Sequence, residues 1–272
     1  MADTKPKKQP KKMTRRGFVA CGATAAGLVG VTAVVNVGTN MFKSAIDHYI
    51  GGGETIITNA PGSESWDTAY YDQQYRGRGR ATEEAKQIVV EIEGEGIVLL
   101  KNDGPILPLP AHAKVALIGD FAKTPRYQGA GSSAVNCTKV DSLLDLIGET
   151  SLDLVGYEPG FERHGGENAS KRAAAAVLAR HADVILLCLG LDEIAESEGA
   201  ERLTMRLNEN QVELAHAVAE VNPNVVVLLS AGSCVETDWV QDARAVLYCA
   251  LGGQAGAGAA LDVVTGAGRP SG

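Results

Sequence analysis

The chain has 272 residues, of which 45% are hydrophobic and 21% charged, enough for one sizeable core or one core with a small appendage. A formal net charge of -8 makes the folded part repel nucleic acid. Five cysteines without a C-x-x-C pair and five histidines at no paired ligand spacing give no sign of a metal site, and none of a cofactor.

Positive charge gathers at the N-terminus, at Lys5, Lys7, Lys8, Lys11, Lys12, Arg15 and Arg16. The stretch 17–35 that follows has no charged residue, and a basic segment before about twenty apolar residues is an export signal or a membrane anchor. Thr14-Arg15-Arg16-Gly17-Phe18 resembles a twin-arginine export motif, with Val19 and Ala20 where Leu and Lys are usual. Val31-Thr32-Ala33 is the best small-residue cleavage site, so a removed signal and an uncleaved helix holding the chain to the membrane both stay open. In either case the positive-inside rule puts the rest of the chain outside the cytoplasm, exported. Residues 1–38 are read as this segment, 39–81 as a juxtamembrane linker broken by Gly51-Gly52-Gly53, Gly77 and Gly79, and 82–272 as the folded domain. Trp66, Tyr70, Tyr71 and Tyr75 in the linker read as packing residues.

Within the domain, a helix is expected over Thr82–Gly94, with Thr82 as N-cap and Ala85, Ile88, Val89 and Ile92 on one face. Strands are expected at Lys114–Gly119, Leu152–Gly156, Val184–Leu189, Val225–Ser230 and Ala245–Cys249. Helical patterns separate them at Ser142–Ile147, Ser170–His181, Asn210–Val221, Thr237–Asp242 and Gln254–Thr265. Such alternation predicts an α/β fold: a mostly parallel sheet of about five or six strands with helices on both faces. The cysteines read mostly as free buried thiols.

Val184–Leu189 is apolar throughout and empties into a loop crowded with Asp192, Glu193, Glu196, Glu198 and Glu201. Ligands of open α/β sheets bind outside the carboxyl ends of strands, and crowded carboxylates raise one another's pKa, as a general acid requires. A solvated acidic loop is the bland alternative. Gly252, Gly253, Gly256 and Gly258 follow a strand, but Leu261 stands where a dinucleotide fingerprint needs its third glycine, and no Lys-Ser/Thr follows. Close helix packing accounts for them.

Glu196-Ser197-Glu198-Gly199-Ala200-Glu201-Arg202 resembles the Glu-Ser-Glu-Gly-x-Asp-Arg segment of glycoside hydrolase family three, the β-glucosidase family. Three further blocks agree in order: Gly96–Gly104 with Leu107-Pro108-Leu109, Pro125–Ser133, and Leu251–Gly256 with Pro270-Ser271-Gly272. The resemblance covers about 81–272 and corresponds to the C-terminal α/β sandwich domain of that family. It implies a retaining β-glycosidase acting on a glycoside or oligosaccharide, with a β-glucoside as the expected substrate and two carboxyl groups sharing the work. The family's nucleophile is an Asp on a separate (β/α)8 barrel, and its acid/base falls on Glu198 here. Glu196 and Glu193 stay open as alternatives. Glu201 replaces the family's Asp. The resemblance also places Arg126, Tyr127, Gln128, Ser132, Ser133 and Arg202 around the substrate, without the tryptophan some relatives have there. Since the sandwich follows the export segment directly, the chain is expected to be the N-terminal piece of a reversed-order enzyme whose barrel lies downstream, inactive alone. The competing class is a non-catalytic carbohydrate-binding or scaffolding module.

Overall fold

The computed structural model describes residues 78–272 apart from Thr138, so the predicted export segment, most of the linker and its aromatic residues lie outside the described residues. No helix among the described residues is long and apolar enough to cross a membrane. The elements are α1 (Arg78–Gly96), β1 (Val98–Asn102), β2 (Lys114–Ile118), α2 (Leu143–Leu146), β3 (Asp153–Glu158), α3 (Ala169–Ala179), β4 (Val184–Gly190), α4 (Glu209–Val221), β5 (Val225–Ser230), β6 (Ala245–Tyr248) and α5 (Gly256–Thr265).

They build one six-stranded sheet in the order β1-β6-β5-β4-β2-β3. Every pair is parallel except β1–β6, which is antiparallel. Helix α5 packs with α1 and α2, while α3 packs with α4 and β3, which forms the two helical layers of a doubly wound sheet. The long apolar runs sit at the centre. Every residue of β4 is buried, because β2 and β5 flank it and helices cover both faces. Asn222 ties α4 to the turn before β4, its amide donating to the Ala179 and Ala182 carbonyls at 3.0 and 2.8 Å.

Four expectations need correction. β1 was not among the predicted strands; it is an edge strand whose Leu99 and Leu100 face solvent, so its pattern lacks the buried alternation of the others. Helix α1 starts at Arg78, with Gly79 in its first turn and Thr82 inside it rather than capping it. It turns Ala85, Ile88 and Ile92 outward and buries Glu93 instead. The helix predicted over 237–242 is a single 3-10 turn, Val240–Asp242: Trp239 is fully buried with its indole N–H on the Glu236 carbonyl at 3.1 Å, leaving too few residues to nucleate a helix. Of the described cysteines, all free, Cys188 and Cys249 are buried, while Cys137 is half-buried and Cys234 exposed, so burial is less general than the mostly buried thiols expected.

Candidate active site

The crossovers of the sheet change direction between β2 and β4, since β3 lies outside β2 while β5 and β6 lie beyond β4. Loops leaving two strands at such a point diverge and open a crevice at their carboxyl ends. Those two loops are the Pro125–Ser133 segment and the acidic loop. They meet there: Ala130 and Ser197 form a parallel bridge, and the Glu198 amide donates to the Ala130 carbonyl at 3.2 Å.

A cleft of about 760 Å³ opens at this junction, lined by Arg126, Ser132, Ser133, Glu196, Glu198 and Arg202 among others. That is the size of pockets that take small organic ligands. Two of the predicted substrate residues lie elsewhere. Gln128 forms a clamp within its own loop, with Oε1 accepting the Val135 N–H at 2.8 Å and Nε2 donating to the Val135 carbonyl at 3.1 Å. Tyr127 accepts a bond from the Gln128 amide at 2.9 Å and lines a smaller cavity that shares Arg126 with the cleft.

The acidic residues, alike in sequence, have different surroundings. Asp192 is buried and shapes the turn: Oδ1 accepts the Ile194 and Ala195 amides at 3.0 and 2.7 Å, and Oδ2 lies 3.1 Å from His164 Nδ1. Glu193 is gripped by Arg163, at 3.0 Å from Nε and 2.5 Å from Nη2. The Arg163 hydrogen bonds pull its carboxyl down to about 2, so Glu193 stays an anion at any working pH. Arg163 in turn reaches Asp120 at 2.6 Å and stacks over the Phe121 ring at 4.6 Å. Glu196 has both oxygens engaged, Oε1 by the Ser233 hydroxyl at 2.6 Å and Oε2 by the Gly232 amide at 3.0 Å.

Glu198 is exposed, whereas Glu193 and Glu196 are half-buried. Glu198 Oε2 accepts the Ser132 amide at 2.6 Å, and hydrogen bonding from the Ser132 side chain and then its backbone lowers the Glu198 pKa. The approach requires Gly131, whose φ is +102°; an added Cβ would fall 2.5 Å from Glu198 Cβ. Arg202 Nη2 donates to the Cys234 carbonyl at 2.7 Å, fastening the end of the acidic loop to the segment after β5.

Ser233, Gly232 and Leu251 also line the cleft and were not among the predicted site residues. Their signal was their place at the ends of β5 and β6. Chemically, the site offers two exposed carboxyls, Glu198 and Glu201, with hydroxyls and N–H donors beside them, while Glu193 and Glu196 are hydrogen-bonded to other loops. Among the described residues no group of His, Cys, Asp and Glu could hold a metal ion.

Comparison with known proteins gives a consistent picture. The profile of the glycosyl hydrolase family 3 C-terminal domain matches residues 97–272. An exo-α-(1→6)-L-arabinopyranosidase of Bifidobacterium breve is 42% identical over 189 residues, which cover 65% of this chain and 25% of that protein. The thermostable β-glucosidase B of Acetivibrio thermocellus is 42% identical over 186 residues, covering 65% and 24%. The crystal structure of a β-glucosidase of Bifidobacterium adolescentis superposes with a TM-score of 0.67 at 42% identity, over 73% of this chain and 29% of that one. The chain thus spans about a quarter of the length of the curated relatives it matches.

Proposed function

The chain belongs to glycosyl hydrolase family 3, as its C-terminal α/β domain, and from that membership we propose that it is the acid/base half of a retaining β-glycosidase. The observation that carries this is the place of Glu198, which the family motif marks and whose carboxyl meets the Ser132 amide where the two cleft loops join. It stands at the switch point of the sheet, in the cleft, with an oxygen open to solvent, while Glu193 and Glu196 are held in place by Arg163 and by Gly232 and Ser233.

In this reading a carboxylate on a domain outside this chain attacks the anomeric carbon as the Glu198 carboxyl gives its proton to the departing glycosidic oxygen. Glu198 then takes a proton from water, whose oxygen attacks the same carbon and frees the attacking carboxylate. The Ser132 hydrogen bonds favour the ionised form of Glu198, which suits the second step. The first step needs the acid form, and a less polar surrounding created by substrate and a second domain would supply it. The chain by itself is therefore inactive. We take a β-glucoside as the substrate; relatives 42% identical are named for β-glucosidase and arabinopyranosidase activities and one 33% identical for xylosidase activity, so aryl β-glucosides, β-xylosides and α-L-arabinopyranosides are the substrates to compare.

The test uses the longer parent enzyme. Glu198→Ala should slow turnover of substrates with poor leaving groups by roughly 10²–10⁴, the range for loss of a positioned acid/base. Good leaving groups should suffer less, and azide should restore turnover by attacking the glycosyl intermediate without base assistance. Near-normal turnover of cellobiose by Glu198→Ala, with loss in Glu196→Ala, would move the role to Glu196. A non-catalytic sugar-binding module is the second reading; tight calorimetric sugar binding by this chain alone would support it. We also propose export by the twin-arginine route, supported by the Arg15-Arg16 pair; replacing both with Lys should retain the protein in the cytoplasm.

A further inference from the structure

Arg126 lines the cleft with its side chain only 2% exposed. Its Nε and Nη2, the two nitrogens that share one edge of the guanidinium, are buried and have no hydrogen-bond partner among the described residues. That edge is the one with which an arginine grips a carboxylate through two parallel bonds. Donors left unpaired in the interior carry the full cost of their desolvation. Such a pair calls for an acceptor.

Glu196 is the acceptor at hand. Its Oε2 lies 3.7 Å from Arg126 Nη2, too far for a hydrogen bond, and a shift of about 1 Å would make one. In the present arrangement the loop after β5 holds Glu196 instead: Oε2 accepts the Gly232 amide at 3.0 Å and Oε1 the Ser233 hydroxyl at 2.6 Å. Glu193 is the other carboxyl on which Arg126 acts. It is kept ionised first by the Arg163 hydrogen bonds and only last by the charge of Arg126, so its oxygens are already taken. Gly232 and Ser233 line the cleft, as Glu196 does. Residue 232 has no side chain to keep Glu196 off its amide, since an added Cβ would lie 3.3 Å from Glu196 Oε1 and 3.0 Å from Leu251 Cδ1.

We propose that Glu196 occupies a ligand's place in the cleft: a sugar bound there takes the Gly232 N–H and the Ser233 hydroxyl with its own hydroxyl oxygens, and Glu196 moves onto the open edge of Arg126. Gly232 and Ser233 are then binding groups, and Arg126 and Glu196 are positioning residues for the loop that carries Glu198. The exchange conserves hydrogen bonds, because the two that Glu196 gives up pass to the ligand while the Arg126 edge gains its acceptor. A neutral, hydroxyl-bearing ligand suits the site, since Glu198 and Glu201 on the same wall repel an anion. That the ligand is a sugar rests on the cleft being the glycosidase site; the exchange of partners does not.

The two parts are tested separately. In this chain, NMR of the ¹⁵N-labelled Arg126 Nε–H, assigned through its own side-chain carbons, reports whether that edge is bonded. Ser233→Ala removes one of the two groups that hold Glu196. Without any ligand, the Nε–H signal should then move downfield and its exchange with water slow by about tenfold, the effect of one charge-assisted bond. Adding Glu196→Gln to Ser233→Ala should cancel the change. A signal unmoved in Ser233→Ala overturns the exchange of partners. In the parent enzyme, Glu196→Gln should raise KM for cellobiose about tenfold with kcat nearly kept, because the displaced side chain no longer reaches Arg126 as an anion. A fall in kcat at unchanged KM would put Glu196 in the chemistry and overturn the ligand part. A wild-type parent that hydrolyses no glycoside overturns the glycosidase reading and the sugar with it, whatever the Arg126 signal does. Should Glu196→Gln fail to fold, the Ser233→Ala spectrum decides the exchange and a crystal structure of the wild-type parent with glucose decides the ligand: Glu196 still bonded to Ser233 beside bound glucose overturns it.

Discussion

Replacing Gly131 by Ala tests whether the two cleft loops are brought together by a residue without a side chain. At φ +102° an alanine pays the ordinary penalty of an unfavourable backbone, about 1–3 kcal/mol. Its Cβ also meets Glu198 Cβ at 2.5 Å and Oε2 at 2.8 Å. The carboxyl can swing away, but the Glu198 Cβ moves only with its backbone, which the Ala130–Ser197 bridge and the 3.2 Å bond to Ala130 hold in place. Relieving the contact means parting the loops by roughly 1 Å, and a misplacement of that size costs a catalytic group about 10²-fold in rate. Gly199→Ala is the matched control: its φ is +79°, but nothing lies within 4 Å of an added Cβ, so it carries backbone strain without the collision. In amide hydrogen exchange on this chain, Gly131→Ala should speed exchange at Ser132 and Glu198 by at least about tenfold over Gly199→Ala, a loss of 1.4 kcal/mol or more in local protection. In the parent enzyme, kcat/KM should fall in the same order. If both variants exchange and turn over alike, the close approach at Gly131 does not organise the site.

Two pH experiments bear on the buried and paired carboxyls. Glu93 keeps its proton in the folded chain up to about 7 against an ordinary 4.5, so the folded state binds the extra proton between those values. Stability should then be greatest below 4.5 and fall by up to roughly 3 kcal/mol as pH rises toward 7, and Glu93→Gln should abolish that slope in urea unfolding. A wild-type urea midpoint flat across this interval would refute it. Glu193 is the opposite case, drawn from 4.5 to about 2 by Arg163, so its contribution is present above 4.5 and lost as pH falls through 2. Arg163→Met should therefore be destabilising at pH 7, with the difference from wild type shrinking as acid is added; a difference independent of pH would place the role of Arg163 in packing alone.

Much of the architecture was legible in the order of residues. Val184–Leu189 is apolar throughout because β4 has neighbours on both edges and helices on both faces. The acidic loop was also recognisable, because it leaves such a strand. Its motif made Glu198 stand out before any coordinates. Other features depend on partners distant in the chain. Val98–Asn102 becomes a strand only by pairing antiparallel with β6, nearly 150 residues later, as in Val98 with Tyr248. The apolar ridge of α1 gave the wrong face, since the space beside Gly252 and Gly256 admits Glu93 while Ile88 and Ile92 stay in solvent. Within the acidic loop, residue type alone does not separate Glu193, Glu196 and Glu198; only the family motif does. Arg163, from the loop after β3, takes Glu193; Gly232 and Ser233, from the loop after β5, take Glu196. A strand can be read from its own residues because burial on both faces demands one kind of side chain along its whole length. A carboxylate's role depends instead on which charge or N–H group lies within a few ångströms, and the folding of the sheet decides that.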